Sequence, residues 1–468
     1  MPDDVLPASV KPASINKKTG KRGKKSVKQV SRVIKTAKSG PPPRFVTAAS
    51  LFDGHDAAIL VIADALKQGG IEVILGGYDL TVDKFVDAII QEGVHFAGIS
   101  SYNGGHIPFF EAVRNALQRK NYPHIHLIGG GGATMAPEDI ESLEQQAGID
   151  KIFRAGEGGC VLPYINEHFD FSVTPEEPDA LLEGVKTGDE LALSRWINLA
   201  EEKARLESIL EDYRRAGNPI GKEEAPHLDQ SYWEEMGGEQ EILRKMKSFE
   251  RYLSALDERV RAKRSTVFGI TGRGGSGKST ITDELILRFF KDGRMENRKV
   301  AIISIDPSSA VSGGALLADR IGYIYATDKN WVDTRRIFIR SVASRGYGQG
   351  IARALPDIVK ILKAGGYDIF IESYGIGQPE IGVSRVADLS IFVTTPDMGG
   401  AQQVEKEDML NIPGVVVVLN KSEHHGSRHI SSLLQKKVPK ERLFLTTAIE
   451  HRNPGINSLY QSLTQHFN

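Results

Sequence analysis

Short runs of consecutive apolar residues alternate with longer segments whose apolar residues recur every three or four positions, and this alternation occurs in two blocks. In the first block Phe45–Ala49, Glu72–Leu75, Phe96–Ser101, Ile125–Ile128 and Lys151–Arg154 predict strands. The intervening segments Ala57–Lys67, Val82–Gln91, Phe109–Arg119 and Pro137–Gln146 carry helical periodicity. Strands joined by crossover helices in this way predict a small doubly wound α/β sheet of the flavodoxin-like kind, whose ligands bind beyond the carboxyl ends of the strands.

The second block predicts strands at Thr266–Thr271, Val300–Ile305, Ile369–Ile371, Ile391–Thr394, Val415–Leu419 and Leu443–Leu445, again an α/β layout. Between the blocks the pattern changes. Leu191–Tyr213 places Leu206, Ile209, Leu210 and Tyr213 on one helical face, and Ile242, Met246, Phe249, Leu253, Leu256 and Val260 keep a four–three spacing. Both stripes are read as helix packing. The acidic stretch Phe171–Asp189 predicts a loop, and Gly217–Gly238 a connector. Residues 1–43, rich in Lys and ending in Pro41-Pro42-Pro43, are too poor in apolar side chains to fold and read as a disordered basic tail. The expected organisation is therefore a tail over 1–43, a first domain over 44–160, a helical linker over 161–264 and a second domain over 265–468.

Composition narrows the classes. The 468 residues are 40% hydrophobic and 25% charged, with a formal net charge of −1, so neither nucleic acid nor a membrane is expected as a partner. No apolar run approaches the roughly 18 residues that cross a bilayer. The single cysteine, Cys160, excludes an intramolecular disulfide and fits a reducing, cytoplasmic setting.

The surest chemistry lies in Phe268–Ile281. Gly272, four further residues, and Gly277-Lys278-Ser279 have the phosphate-loop spacing, arriving in the order strand, loop, helix. Gly272, Gly274, Gly275, Ser276 and Gly277 would close backbone N–H groups around a polyphosphate, and the helix would begin at the anion with Ser279 and Thr280 in its first turn. Lys278 would meet the outer phosphates and Ser279 a magnesium ion. Asp306, Asp319 and Glu372, in loops at strand ends, supply the hard oxygens that magnesium requires, directly or through water. Gly377 offers a backbone N–H to the terminal phosphate, and Gln378 is a candidate for positioning water. Asn420-Lys421-Ser422-Glu423 stands where guanine-specific proteins carry Asn-Lys-x-Asp. Glu423 is one methylene longer than the usual carboxylate, so GTP is the expected nucleotide with guanine strictness left open.

In the first block, unusual residues gather at strand ends: Phe52-Asp53-Gly54-His55 after the first, Ser100-Ser101-Tyr102-Asn103-Gly104-Gly105-His106 after the third, and Gly129-Gly130-Gly131-Gly132 after the fourth. Together these loops resemble the cobalamin-binding domain of adenosylcobalamin-dependent acyl-CoA mutases. The resemblance implies His55 as the lower cobalt ligand, Asp53 as the carboxylate that orients it, and Ser100, Gly129 and Gly130 along the groove for the nucleotide tail. Ala58 and Tyr102 depart from the family's usual residues. The wording Phe-Asp-Gly-His-Asp-Ala-Ala-Ile with Ser-Ser-Tyr-x-Gly-Gly-His resembles one branch, the fused isobutyryl-CoA mutases.

The second block resembles the metallochaperone-type G proteins that escort such mutases, through the phosphate loop, Asp306-Pro307-Ser308-Ser309 with the following Gly-Gly-Ala-Leu-Leu-Ala-Asp319-Arg320, and Glu372-Ser373-Tyr374-Gly375-Ile376-Gly377-Gln378. Pro396–Gln403 is similar to that family's additional switch loop; Glu423 and Tyr374 depart from it. The resemblance implies adenosylcobalamin, GTP and Mg2+ as ligands, and GTP hydrolysis that gates cofactor loading or repair. The acyl-CoA barrel of the fused enzymes needs roughly 250 residues, and no segment here holds one. A separate acyl-CoA-binding mutase subunit, in a homo- or hetero-oligomer, is the expected partner. A stand-alone GTP-dependent cobalamin chaperone or sensor of another complete mutase, and a corrinoid methyl carrier, are the alternatives.

Overall fold

The computed structural model describes residues 41–50, 56–101, 106–130, 135–169, 178–216, 237–307, 320–345, 351–375, 381–397 and 408–467. The first block folds as β1 (Arg44–Ser50), α1 (Asp56–Gln68), β2 (Glu72–Leu80), α2 (Val82–Gln91), β3 (Phe96–Ser100), α3 (His106–Arg119), β4 (His126–Gly130), α4 (Pro137–Gln145) and β5 (Lys151–Phe153). Its five strands are parallel in the order β2-β1-β3-β4-β5. The order turns back at β1, so the crevice at the carboxyl ends of β1 and β3 is the place for a ligand. One face is packed by Phe85, Ile89, Phe110, Val113, Ile140 and Leu143 from α2, α3 and α4. The other takes Ala63 and Leu66 from α1, with Val161 and Ile165 of a further helix, α5 (Val161–His168). The first core thus continues past residue 160.

The intervening helices are α6 (Pro178–Thr187), α7 (Glu190–Ala216), α8 (Gly238–Ser254) and α9 (Asp257–Ala262). Pro178–Thr187 corrects the expected loop: Val185 is buried in one cluster with Leu193 and Trp196, while Glu183 pairs with Lys186 at the surface. Glu183 stands on the outer face of that helix, while Leu181 and Leu182 pack against the cluster. Leu193, Trp196, Ile197, Phe249 and Leu253 pack with Ile303, Phe338, Ile358 and Tyr367, so these helices complete one face of the second sheet.

The second block comprises β6 (Val267–Thr271), α10 (Lys278–Lys291), β7 (Lys299–Asp306), β8 (Ile337–Ala343), α11 (Leu355–Ala364), β9 (Tyr367–Glu372), α12 (Ile381–Ser384), β10 (Leu389–Thr394), β11 (Val416–Leu419), α13 (Ser427–Leu434), β12 (Leu443–Leu445) and α14 (Pro454–Thr464). Its seven parallel strands run β12-β11-β10-β6-β9-β7-β8. Strand β8 was not among the expected strands, because Arg340 and Ser341 interrupt its apolar run. It is nevertheless buried at every position.

An edge strand leaves a row of backbone groups without ladder partners. Here side chains take their place. Gln91 donates to Ile337 O at 2.9 Å and accepts from Ile339 N at 3.1 Å. Glu92 accepts from Ser341 N at 3.0 Å, Arg44 donates to Ser341 O at 3.3 Å, and Arg320 donates to Ile339 O at 2.8 Å. Arg44 also pairs with Glu72 and Glu92. Arg340 donates to Glu201 at 2.6 Å and to Asn198 on α7, and Arg345 bridges Glu72 and Glu201 at 3.1 and 3.4 Å. The amino-terminal base of the first sheet is thereby docked on the edge of the second.

Two outcomes follow. Glu92→Ala strips a buried carboxylate from Arg44, Arg320 and the Ser341 amide, and should cost about 3–5 kcal/mol, read as a lower midpoint in chemical denaturation. Burial pushes the Glu201 carboxyl up, but Arg44, Arg340 and Arg345 outweigh it and hold the group at about 2, below its ordinary 4.5. A depressed carboxyl stabilises the fold above its unfolded value and loses that contribution as pH falls toward the folded one. Wild type should therefore lose more stability between pH 5 and pH 2.5 than Glu201→Gln does, measured as denaturation midpoints across that window.

Candidate functional site

Strand β6 lies at the centre of the second sheet, with all five residues buried. The chain leaves it through Gly272 at φ 146° and re-enters a helix through Gly277 at φ 91°. Both positions need glycine twice over, for backbone and for space. A Cβ at Gly272 would stand 2.1 Å from Val393 O, and one at Gly277 would stand 2.3 Å from Asn420 Nδ2. Arg273, Gly274 and Gly275 are exposed, Ser276 is buried with no partner for its hydroxyl, and Thr280 is half-buried. Helix α10 starts at Lys278, so its first-turn N–H groups face the loop. Lys278 donates to Gly272 O at 2.8 Å and to Arg273 O at 3.1 Å, holding its ammonium inside the loop.

Ser279 donates to Glu372 Oε1 at 2.6 Å, and Thr282, one turn along α10, approaches Glu372 Oε2 at 3.4 Å. Glu372, the last residue of β9, is buried; burial pushes its carboxyl up, against the hydrogen bonds from Ser279 and Tyr323. Asp306 ends β7, next to β9 in the sheet. The structure therefore brings Lys278, Ser279, Asp306 and Glu372 to the same ends of neighbouring strands. Asp319, Gly377 and Gln378 lie outside the described residues. Among the described residues no three His, Cys, Asp or Glu side chains converge to hold a metal unaided.

Asn420 is a strut between loops. Its Nδ2 donates to Ser276 O at 2.9 Å, and its Oδ1 accepts from Thr446 Oγ1 and Ala448 N, each at 3.0 Å. Lys421 sits at φ 55°. Glu423 accepts from Thr447 Oγ1 at 2.7 Å, and that bond holds its carboxyl below the ordinary range.

In the first sheet a cavity of about 430 Å³ opens beside the carboxyl-terminal halves of the strands. Strand side chains alternate between faces, and those lining the cavity include Phe45 and Thr47 of β1, Gly98 and Ser100 of β3, Ile128 and Gly130 of β4, and Phe153 of β5. Ile59 and Ile62 of α1 face them. Gly129, although its backbone borders the cavity, points its Cβ direction the other way: a methyl there would meet Phe110 Cζ at 2.2 Å. Its role is the close seating of α3. Asp53 and His55 lie outside the described residues.

Several contributing residues escaped the sequence reading. Gly98 and Thr47 could have been found by stepping two residues along the expected strand or across to its neighbour. Thr282 lies one helical turn beyond Ser279. Tyr323, which donates to Glu372 Oε2 at 2.7 Å and shares a hydrogen bond of 2.7 Å with Ser304, carries no local signal.

With this geometry in hand, comparison with known proteins is informative. Residues 43–161 match the family described as B12 binding domain. Residues 241–468 match the family described as Methylmalonyl Co-A mutase-associated GTPase MeaB. A fused isobutyryl-CoA mutase of Geobacillus kaustophilus is 34% identical over 444 residues, covering 91% of this chain and 36% of that protein. One of Cupriavidus metallidurans is 34% identical over 462 residues, covering 93% and 37%. The chain thus spans little more than a third of the length of these curated relatives. A solved LAO/AO transport system kinase aligns at 19% identity with a TM-score of 0.39, over 63% of this chain and 76% of that one. At that score it adds nothing to the strand order above.

Asn420→Ala should lower the thermal midpoint measurably. It leaves the Ala448 amide and Thr446 hydroxyl buried without their acceptor, at about 1–3 kcal/mol for such a group, and frees Ser276 O. Equal melting curves for variant and wild type would remove the strut.

Proposed function

The chain belongs to the fused isobutyryl-CoA mutase family over its B12-binding and MeaB-type GTPase regions, and from this premise we propose that it carries adenosylcobalamin for an acyl-CoA mutase and hydrolyses GTP to gate that cofactor's loading or repair. Both regions occur on one polypeptide, with a cavity of about 430 Å³ beside the carboxyl-terminal halves of the first sheet's strands and a glycine turn from β6 into α10 in the second, and this observation carries the reading. A separate acyl-CoA-binding mutase subunit is proposed as its partner. Leu60 and Val61 of α1, 42% and 70% exposed beside the cavity, support a covered surface there.

The residues fit both ligands. For cobalamin, the groove bordered by Ser100, Gly129 and Gly130 is largely apolar, with the Thr47 and Ser100 hydroxyls as its polar points, a fit for the elongated nucleotide tail. Asp53 would orient the His55 imidazole as the lower ligand of the cobalt. Bound adenosylcobalamin would supply the radical that the rearrangement needs. For the nucleotide, Gly272, Gly274, Gly275, Ser276, Gly277 and Thr280 would place backbone donors around the phosphates and Lys278 a cation at the outer ones. Ser279, Asp306, Asp319 and Glu372 would hold magnesium, directly or through water, its remaining positions left to phosphate oxygens and solvent. Gly377 would meet the terminal phosphate, and Gln378 would orient the attacking water. Asn420 and Lys421 would frame the base, and Glu423, with one oxygen engaged by Thr447, would offer the other to the guanine edge.

Lys278→Ala should abolish GTP hydrolysis while cobalamin is retained on gel filtration as in wild type. His55→Ala should hydrolyse GTP normally but lose the imidazole-nitrogen coupling from the paramagnetic spectrum of bound cob(II)alamin. An unchanged nitrogen coupling removes His55 as ligand, and failure of wild type to retain cobalamin removes the functional reading.

A further inference from the structure

The nucleotide site and the base of the cobalamin-binding sheet both contact the turn that begins at Arg320. Arg320–Gly322 form one 3-10 turn, with Tyr323 N donating to Arg320 O at 3.4 Å. On one side, Tyr323, only 3% exposed, donates to Glu372 Oε2, whose partner oxygen receives the Ser279 hydroxyl. On the other side, Arg320, 7% exposed, donates to Gln91 Oε1 at 2.5 Å and to Glu92 Oε1 at 3.3 Å. Gln91 ends α2 of the cobalamin-binding sheet and Glu92 follows it; Glu92 pairs in turn with Arg44, the first residue of β1. The chain beyond the turn is also fixed. Asp283, on α10 one turn after Ser279, accepts from the amides of Ile324, Tyr325 and Ala326 at 2.8–3.1 Å.

We propose that this turn couples the two ligand sites, so that nucleotide binding changes cobalamin affinity, and cobalamin nucleotide affinity, through Tyr323 and Arg320. The inference rests on the functional reading above and adds the route. In this arrangement the Ser279 hydroxyl and the Glu372 carboxylate satisfy each other. A metal ion held by either group adds charge to that pair and resets its position. Tyr323 must then follow Glu372 or fall back on Ser304 alone, giving up its hydrogen bond to a buried carboxylate. Three residues earlier, Arg320 is held at once by the β8 carbonyl of Ile339 and by two side chains at the end of α2. A shift of the turn is therefore a shift at the base of the first sheet, with no need for the α7–α8 helices to carry it. Arg320 also follows directly on Asp319, a candidate magnesium ligand, in the sequence.

The test is reciprocal calorimetric titration of the full chain. Adenosylcobalamin is titrated with and without saturating Mg2+–GTPγS, and Mg2+–GTPγS with and without saturating adenosylcobalamin. Linkage requires one and the same factor in both directions, and for wild type we expect a change of at least about fivefold. Arg320→Met and Gln91→Met cut the contact from opposite sides without touching either ligand. Both should bind each ligand alone as wild type does, with the factor reduced to near one. If one variant fails to fold in a thermal melt, the other carries the same reading. Variants as strongly coupled as wild type, or a wild type that binds both ligands independently, overturn this inference alone. A wild type that binds only one ligand overturns the functional reading and this inference with it.

Discussion

The structure turns on the hydrogen-bonding needs of one edge strand. Strand β8 is the last strand of the second sheet, and its outer N–H and C=O groups face protein rather than water. Such groups must be paired or they cost free energy. A neighbouring strand would pair them with backbone; here Gln91, Glu92, Arg44 and Arg320 do so with side chains. Three of these four side chains are charged and buried, and buried charges must in turn be paired. Glu72, Glu201, Arg340 and Arg345 complete that pairing. The ionic cluster is thus a consequence of docking a sheet edge against another sheet's base. Its net stabilisation is smaller than the number of contacts implies, since desolvation offsets much of each ion pair. Its stronger effect is geometric, because each hydrogen bond is satisfied in only one register.

Parallel sheets make that register useful. All strands of the first sheet begin at the same end, so docking through Arg44 and Glu72, the first residues of β1 and β2, occupies the amino-terminal end. The cavity bordered by Thr47, Ser100 and Gly130 lies toward the other end and stays open. The second sheet follows the same logic from its side edge: β8 is the outermost strand, while the phosphate loop leaves the central β6. Neither ligand site is spent on holding the molecule together.

What the sequence disclosed, and what it hid, follows from the same physics. Local chemistry was legible. The phosphate loop needs a strand, glycines and a helix within a few residues, and the alternation of apolar runs with helical stripes marks each crossover unit. The helix Pro178–Thr187 was misread because the acidic composition of the stretch outweighed a short apolar face, Leu181, Leu182 and Val185, that packs into the second core. Strand β8 was overlooked for a subtler reason. Arg340 is 0% exposed, and a central arginine argues against a buried strand unless Glu201 and Asn198, some 140 positions earlier, are known to receive it. Tyr323 was invisible likewise, since its partner Glu372 is 49 residues away. Gly129 borders the cavity through its backbone, and the room its missing side chain leaves for Phe110 carried no signal in the sequence. Contacts made by a residue with its neighbours in sequence can be read; those made across the interface cannot.

A polar docking surface also bears on how two ligand-binding units can influence one another. An apolar interface can slide by fractions of an ångström with little change in energy, because dispersion contacts are many, weak and non-directional. Hydrogen bonds weaken steeply with distance and angle, so an interface built from Gln91, Glu92, Arg44 and Arg320 has few acceptable arrangements. Packed interfaces of that kind respond to a disturbance by switching between discrete states rather than by deforming smoothly. Helix α8, in contrast, packs on the second core through Phe249 and Leu253 and is poorly suited to report a small change. The feature that fixes the two sheets in one relation is therefore also the one best placed to sense when that relation is perturbed.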